Sequence, residues 1–279
     1  MFLIIIEYFF ISVNFNVQKY QFMGLKMLNE KQISEYNENG YIIPEFQLSN
    51  QIVDEISELY DRLLYKKPEF KNFCPNVLKY DLGFLNFAKI PDILNMVEQL
   101  IGPNFALWNS SLFAKPAKNG LETPWHQDGE FWPIRPLATC TVWIAVDEAN
   151  KENGCLRVIK GSHKNRKLRK HNTVKNNKYT LHQVLDPSEY NENDAVDLEL
   201  KRGQISLHDV YLLHGSKENL SSKSRRGMTL RFMPTTSVFD RKVAVELTQQ
   251  LGVVSHSERS LYLMRGNDVS KKNDFRIRQ

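Results

Sequence analysis

Apolar positions along the chain change their period part-way through. In the first third they recur at helical spacing. Ser49 can cap a helix whose Ile52, Ile56, Leu59 and Leu63 share a face, and Pro91 to Ile101 reads as a short helix that opens on proline and stops at Gly102. A polar helix over Asn29 to Asn39 precedes them, with Gly40 as its stop. From Phe105 onward the pattern is that of strands. Phe105 to Ala114 mixes β-formers. Leu137 to Val146 alternates, with Leu137, Thr139, Thr141, Trp143 and Ala145 on one face and Val142, Ile144 and Val146 on the other. Cys155 to Ile159, Gln204 to Leu207, Val210 to Leu213 and Met228 to Phe232 are short apolar runs bounded by glycine or polar turns, and each is predicted as a strand. Helices followed by many short strands predict an α+β, mainly β chain built around a sandwich or barrel.

Composition narrows the function classes. With 279 residues, 42% apolar and 25% charged, the chain can bury a sizeable core, which excludes general disorder. A net charge of +5 tolerates anionic small molecules without demanding nucleic acid. The basic residues cluster between Lys160 and Lys178, an acidic stretch follows from Asp186 to Glu199, and interleaved aromatics are nearly absent. This reads as a solvated excursion whose charges balance, and no nucleic-acid partner is expected. Cys74, Cys140 and Cys155 form no paired framework, as expected of reduced thiols in a cytoplasmic protein. Met1 to Val13 is apolar apart from Glu7 and Ser12. It is too short and too acidic for a stable membrane span, so residues 1–23 are taken as a leader ahead of one domain over 24–279. That domain divides into a mainly helical part (24–104), a β core (105–235) and a C-terminal extension (236–279). Its oligomeric state is left open.

Among seven histidines, His126 stands out because Trp125-His126-Gln127-Asp128 sets an imidazole and a carboxylate two residues apart, on one side of an extended chain. His214, at the end of an apolar run and followed by Gly215, is the best third donor. Two histidines and one carboxylate make the open face used by non-haem Fe(II) oxygenases. Eleven residues further on, Arg225 offers a planar fork for the far carboxylate of an iron-chelating 2-oxo acid, and Ser216 offers a hydroxyl.

Trp125-His126-Gln127-Asp128-Gly129, together with Trp143, Asn153-Gly154-Cys155-Leu156, Gly161-Ser162-His163, His214-Gly215-Ser216 and Asn219 through Arg225, resembles the phytanoyl-CoA dioxygenase family over about Leu28 to Pro234. The resemblance implies a double-stranded β-helix (jelly roll) with N-terminal helices packed on it, and dependence on Fe(II), 2-oxoglutarate and O2. It implies His126, Asp128 and His214 as iron ligands and Arg225 as the 2-oxoglutarate clamp, with Arg226 as a rival one residue away. Ser216, Gln127, Trp143 and Lys115 match positions that contact the co-substrate in relatives. Asp128 also separates the chain from halogenating members of the superfamily, which have a small residue there.

The remaining histidines read as bystanders. His163 looks like a turn residue. His208 precedes Asp209, and neighbours on a strand cannot both face one metal. His171, His182 and His256 lie in polar stretches and are expected to be solvated. After the HxD, Phe131, Trp132 and Arg135 are expected to rim a substrate pocket. The sequence thus predicts a dioxygenase hydroxylating a small molecule with release of succinate and CO2. The alternatives are an inactive metal-binding jelly roll, zinc-dependent hydrolysis, or an oxygenase with a desaturation or cyclisation outcome.

Overall fold

Capping chemistry fixes the first helices. In α1 (Glu30–Asn39) the Asn29 side chain accepts from the Gln32 N–H while the Gln32 side chain accepts from the Asn29 N–H, and Gly40 ends the helix by donating to the Tyr36 carbonyl. Ser49 caps α2 (Asn50–Lys66), which buries Val53, Ile56, Leu59 and Leu63. The one-turn α3 (Leu85–Ala88) leads into α4 (Pro91–Ile101), which opens on proline and buries Ile93, Leu94, Met96 and Val97. The computed structural model describes residues 28–278, so the expected leader lies outside the described residues.

The strands in chain order are β1 (Tyr41–Ile42), β2 (Phe73–Cys74), β3 (Phe105–Lys115), β4 (Thr123–His126), β5 (Ile134–Arg135), β6 (Cys140–Ala145), β7 (Leu156–Ile159) and β8 (His171–Thr173). They continue with β9 (Gln183–Leu185), β10 (Ala195–Leu198), β11 (Ile205–Asp209), β12 (His214–Ser216), β13 (Arg225–Pro234), β14 (Val238–Phe239) and β15 (Tyr262–Arg265). A seven-stranded antiparallel sheet runs β1-β11-β6-β13-β3-β15, with β2 also on β3, and a four-stranded sheet runs β10-β7-β12-β4. Together they make the jelly-roll core.

Strand alternation divides the large sheet into two unlike faces. Leu112, Val142, Ile144, Leu207, Met228 and Leu230 join α2 and α4 residues in the main apolar core. On the opposite face, register aligns Ser111 with Thr229 and Thr229 with Trp143. It likewise aligns Asn109 with Arg231, Arg231 with Thr141, and Thr141 with His208. Of these, Thr141, Trp143, His208, Thr229 and Arg231 line a cavity shared with residues of the small sheet.

Two expectations are corrected. Val210 to Leu213 is not a strand. It is a buried crossover that carries the chain from β11 in the large sheet to β12 in the small one. His214 therefore begins a strand instead of ending one, and β13 pairs with β3 and β6. The C-terminal extension adds two elements. It holds α5 (Arg241–Leu251), capped by Asp240, and β15, which pairs with β3. Among the described residues, no helix is long and apolar enough to cross a membrane.

Candidate metal centre and its cavity

Register brings the two key histidines together: His126 at the end of β4 is the cross-strand partner of His214 at the start of β12, with ring centroids 4.2 Å apart. Each ring is aimed by its own backbone. The Nδ1–H of His126 donates to the Pro124 carbonyl at 2.8 Å and that of His214 to the Leu212 carbonyl at 2.9 Å, which leaves both Nε2 lone pairs free. Asp128 sits in a short 3-10 turn rather than continuing the strand, and its Oδ1 lies 3.8 Å from His126 Nε2 and 4.0 Å from His214 Nε2. Those distances are too long for hydrogen bonds. They suit three donors around one ion, and one ligand atom from each residue lies within 4.8 Å of the others.

The electrostatics agree. Burial holds the His214 imidazole well below its usual pKa, so the ring is neutral and can donate its lone pair. Burial alone would push the Asp128 carboxyl up, but His126, His208 and Arg231 together hold it well below the usual carboxylate range. Its Oδ2 is buried with no hydrogen-bond partner. A buried, ionised carboxylate with an unpartnered oxygen beside two free imidazole nitrogens fits a ferrous ion held by His126, Asp128 and His214.

Arg225 and Arg226 are told apart by the faces of β13. Arg226 points away from the cavity, where Asp147 takes it through two hydrogen bonds of 2.9 Å and Tyr60 stacks on it. Arg225 is buried in the cavity wall, forms no ion pair with an acid among the described residues, and leans over the Trp143 ring at 5.4 Å. Its guanidinium donates to the Gly154 carbonyl at 2.8 and 3.1 Å and to the Phe113 carbonyl at 3.1 Å, while burial lowers its pKa to about 10. Two glycines make room for this. Gly154 has φ of +79°, and a Cβ there would lie 2.4 Å from the Lys217 carbonyl; a Cβ on Gly227 would lie 2.2 Å from the Trp143 indole.

Other expected site residues divide. Ser216 and Trp143 line the cavity. Lys115, the cross-strand partner of Arg225, is buried with its Nζ donating to the Leu121 carbonyl, and burial followed by the nearby Arg225 pushes its pKa well down. Gln127 is a correction. Its amide is consumed by the Lys167, Tyr211 and Arg169 backbones at 3.0, 2.7 and 2.7 Å, so it braces loops behind His126 and Asp128 and does not line the cavity. Arg135 is another. It is exposed and donates to the Trp132 and Ile134 carbonyls, away from the cavity lining. Phe131 sets its ring 5.9 Å from His126, and Trp132 packs edge-on against Trp108. His163 is buried against the Asn37 carbonyl, and His182 is exposed.

Sequence reasoning missed four groups. His208 faces the cavity, its Nε2 3.7 Å from Asp128 Oδ2, while Asp209 turns away to accept from the Tyr211 N–H. Strand alternation correctly forbade the pair but said nothing against His208 alone. Arg231 also lines the cavity, and its even spacing from Arg225 on one strand was the available signal. His171 is not solvated; its Nε2 accepts from the Gln127 N–H at 3.1 Å. His256 is buried and accepts from Arg259 at 2.6 Å.

Comparison with known proteins agrees with this site. A profile of the phytanoyl-CoA dioxygenase family matches residues 36–227. The human peroxisomal phytanoyl-CoA dioxygenase is 26% identical over 249 residues, covering 79% of this chain and 73% of the relative. In fold, the chain is similar to the non-haem monooxygenase ThoJ, with a TM-score of 0.69 at 21% identity over 88% of each chain. It is also similar to EvdO2 of Micromonospora carbonacea complexed with 2-oxoglutarate, with a TM-score of 0.62 at 21% identity, covering 76% of this chain and 93% of the other. The chain belongs to the phytanoyl-CoA dioxygenase family and is a non-haem Fe(II)- and 2-oxoglutarate-dependent oxygenase that uses O2.

Proposed function

We propose that the protein hydroxylates a small molecule: one substrate hydrogen is replaced by hydroxyl as O2 and 2-oxoglutarate become succinate and CO2, one oxygen atom entering each organic product. The observation that carries this reading is the coexistence, around one cavity, of the His126–Asp128–His214 face and an arginine with no acid partner among the described residues, Arg225. When bound, Fe(II) supplies the oxygen activation that no side chain can provide.

The chain's own residues supply the rest. His126, Asp128 and His214 hold the ion through three positions and leave the others for exchangeable ligands. Arg225, its fork fixed by the Gly154 and Phe113 carbonyls and backed by Trp143, binds the distal carboxylate of 2-oxoglutarate, with the Ser216 hydroxyl as a further donor. Phe131, beside the His126 ring, and Trp132, beside the Arg231 guanidinium, are placed to keep water from the edge of the site. Asp128 fills the position that chloride would need, which favours hydroxylation over halogenation. Residues 24–279 work as one catalytic domain, a reading supported by the pairing of β15 in the extension with β3. Three buried free thiols, with Cys74 pushed up to about 11 by burial, suit a reducing compartment such as the cytoplasm.

The test is a library of candidate small molecules incubated with protein, Fe(II), 2-oxoglutarate and ascorbate in excess chloride, read by succinate release and mass spectrometry. A product heavier by one oxygen atom, labelled from heavy-isotope O2, supports the reading. A chlorinated product, or succinate that forms equally with zinc in place of iron, overturns it.

A further inference from the structure

Arg231 is a buried cation of the cavity lining that the reaction above does not use. It is 6% exposed, lines the cavity, and forms no ion pair with a carboxylate among the described residues. One nitrogen donates to Ser111 Oγ at 2.7 Å, and the Trp132 and Phe113 rings lie 5.1 and 5.7 Å from the guanidinium, but its Nε is buried with no hydrogen-bond partner. What stands behind it is no acid but a second buried arginine, Arg259, which donates to His256 and Asn109. Burial, then Arg231, lowers the Arg259 pKa to about 9.

The neighbouring strands repeat the pattern. Arg231 on β13 is the cross-strand partner of Thr141 on β6, and Thr141 is the partner of His208 on β11. All three line the cavity, and Thr141 Oγ1 and both His208 ring nitrogens are buried without partners. Buried polar groups are ordinarily satisfied, so a row of three unsatisfied side chains facing one space marks a place where a ligand makes the missing bonds.

Charge counting names the ligand's sign. A doubly charged ferrous ion and Arg225 are balanced by Asp128 and the two carboxylates of 2-oxoglutarate. In the loaded site Arg231 has no acid of its own, because Asp128, the lone acid among the described residues of the cavity lining, is shared with the metal and already counted against it.

We propose that Arg231, together with Thr141 and His208, is the anion subsite for the substrate, and that the substrate carries an oxyanion, either a carboxylate or a phosphonate. This inference rests on the oxygenase reading of the same cavity. The arginine fork takes the oxyanion through charge-assisted hydrogen bonds, the Thr141 hydroxyl adds a neutral donor, and Trp132 and Phe113 flank the guanidinium.

The test uses full-length protein loaded anaerobically with Fe(II) and saturating 2-oxoglutarate, so that the Arg225 end of the cavity is filled and no turnover occurs. The visible charge-transfer band of a 2-oxo acid chelated to Fe(II) reports the loading. Calorimetric titration with butyrate, its neutral isostere butyramide, and methylphosphonate then reads the subsite. Wild-type protein is expected to bind at least one of the two anions at least tenfold more tightly than butyramide, and the tighter anion names the oxyanion. Arg231→Gln should abolish the preference, Arg231→Lys should keep part of it, and Thr141→Val should weaken the anion severalfold, with 2-oxoglutarate affinity within twofold of wild type throughout. Equal binding of anions and amide by wild type, or a preference that survives in Arg231→Gln, would overturn the proposal. So would a tenfold loss of 2-oxoglutarate affinity in Arg231→Gln, because Arg231 would then be serving the co-substrate. If Arg231→Gln does not fold, Arg231→Lys and Thr141→Val carry the same test. A wild-type protein that never forms the charge-transfer band would refute the proposed function, and this inference with it, whereas a normal band with no anion preference refutes this inference alone.

Discussion

On its helix side, the seven-stranded sheet presents Leu112, Val142, Ile144, Leu207, Met228 and Leu230; toward the four-stranded sheet, the same strands present Ser111, Thr141, Trp143, His208, Thr229 and Arg231. The backbone is shared and the alternation is strict, yet the two sides serve opposite ends. The helix side is close-packed with side chains that have no polar atoms to satisfy, and its worth is stability. The cavity side keeps polar atoms buried without partners, among them Thr141 Oγ1, both His208 ring nitrogens and Arg231 Nε. Unsatisfied polar atoms cost stability in the empty protein and are recovered on binding, so the cavity side holds binding capacity that the helix side stabilises.

The sharpest break of this comparison falls at the metal. His126→Ala or His214→Ala should leave a folded protein with a normal circular dichroism spectrum, while Fe(II)-dependent succinate formation drops by about three orders of magnitude or more, since the proposed site holds the ion through three side chains. Near-normal turnover in either variant would contradict the site. A cut of similar size on the other face should have the reverse profile. Leu230→Ala removes a fully buried side chain and should cost about 2–5 kcal/mol in a denaturant melt, with Fe(II) and 2-oxoglutarate affinity unchanged in the folded fraction.

The adjacent arginines sharpen the comparison within a single strand. Arg225→Ala should raise the 2-oxoglutarate requirement by about ten- to a hundredfold with Fe(II) affinity nearly intact, because a charge-assisted clamp is worth about 1.5–3 kcal/mol. Arg226→Ala should leave the 2-oxoglutarate requirement within about twofold. Its effect is on stability, through Asp147, which loses both of its hydrogen bonds to the guanidinium. An inverted result would mean that the two arginines exchange roles in solution.

Much of this was legible in the chain. Asn29, Ser49, Pro91 and Gly102 marked helix ends because caps are local chemistry, and alternation on Leu137 to Val146 separated Thr141 and Trp143 from Val142 and Ile144. The HxD stood out by its spacing, His214 by its place after an apolar run and before Gly215, and the resemblance to the family assigned roles to these and to Arg225. What stayed hidden depends on partners distant in sequence. Val210 to Leu213 is as apolar as a strand because a crossover between two sheets is equally buried, and composition cannot separate the two. Gln127 sits between two metal residues yet turns to the Lys167 and Tyr211 carbonyls, which lie 40 and 84 residues away. Arg226 could be distinguished from Arg225 only once Asp147, 79 residues away, was seen to hold it.

The smallest expected effect concerns pH. His171, behind the cavity, accepts from the Gln127 N–H, and burial lowers its pKa to about 4. In the unfolded chain the ring takes a proton near pH 6.5, so the unfolded state binds more protons between those values. Its contribution is therefore present above about pH 6.5 and is lost as pH falls toward about 4. His214 and His256, also held down by burial, act in the same direction. Thermal melts of metal-free protein between pH 7 and 4.5 should show falling stability, and His171→Gln should flatten part of that slope. An unchanged slope in the variant would mean that His171 titrates normally.

The central claim is that three cavity-facing side chains hold one iron and a fourth secures 2-oxoglutarate beside it. Anaerobic titration of the wild-type protein with Fe(II) in saturating 2-oxoglutarate, followed by the visible charge-transfer absorption of the chelate, tests that most directly. The account predicts a band that saturates at one ion per chain, vanishes in His126→Ala, and in Arg225→Ala reaches full height only at much higher 2-oxoglutarate. A band that never forms, or one that survives undiminished in His126→Ala, would contradict it.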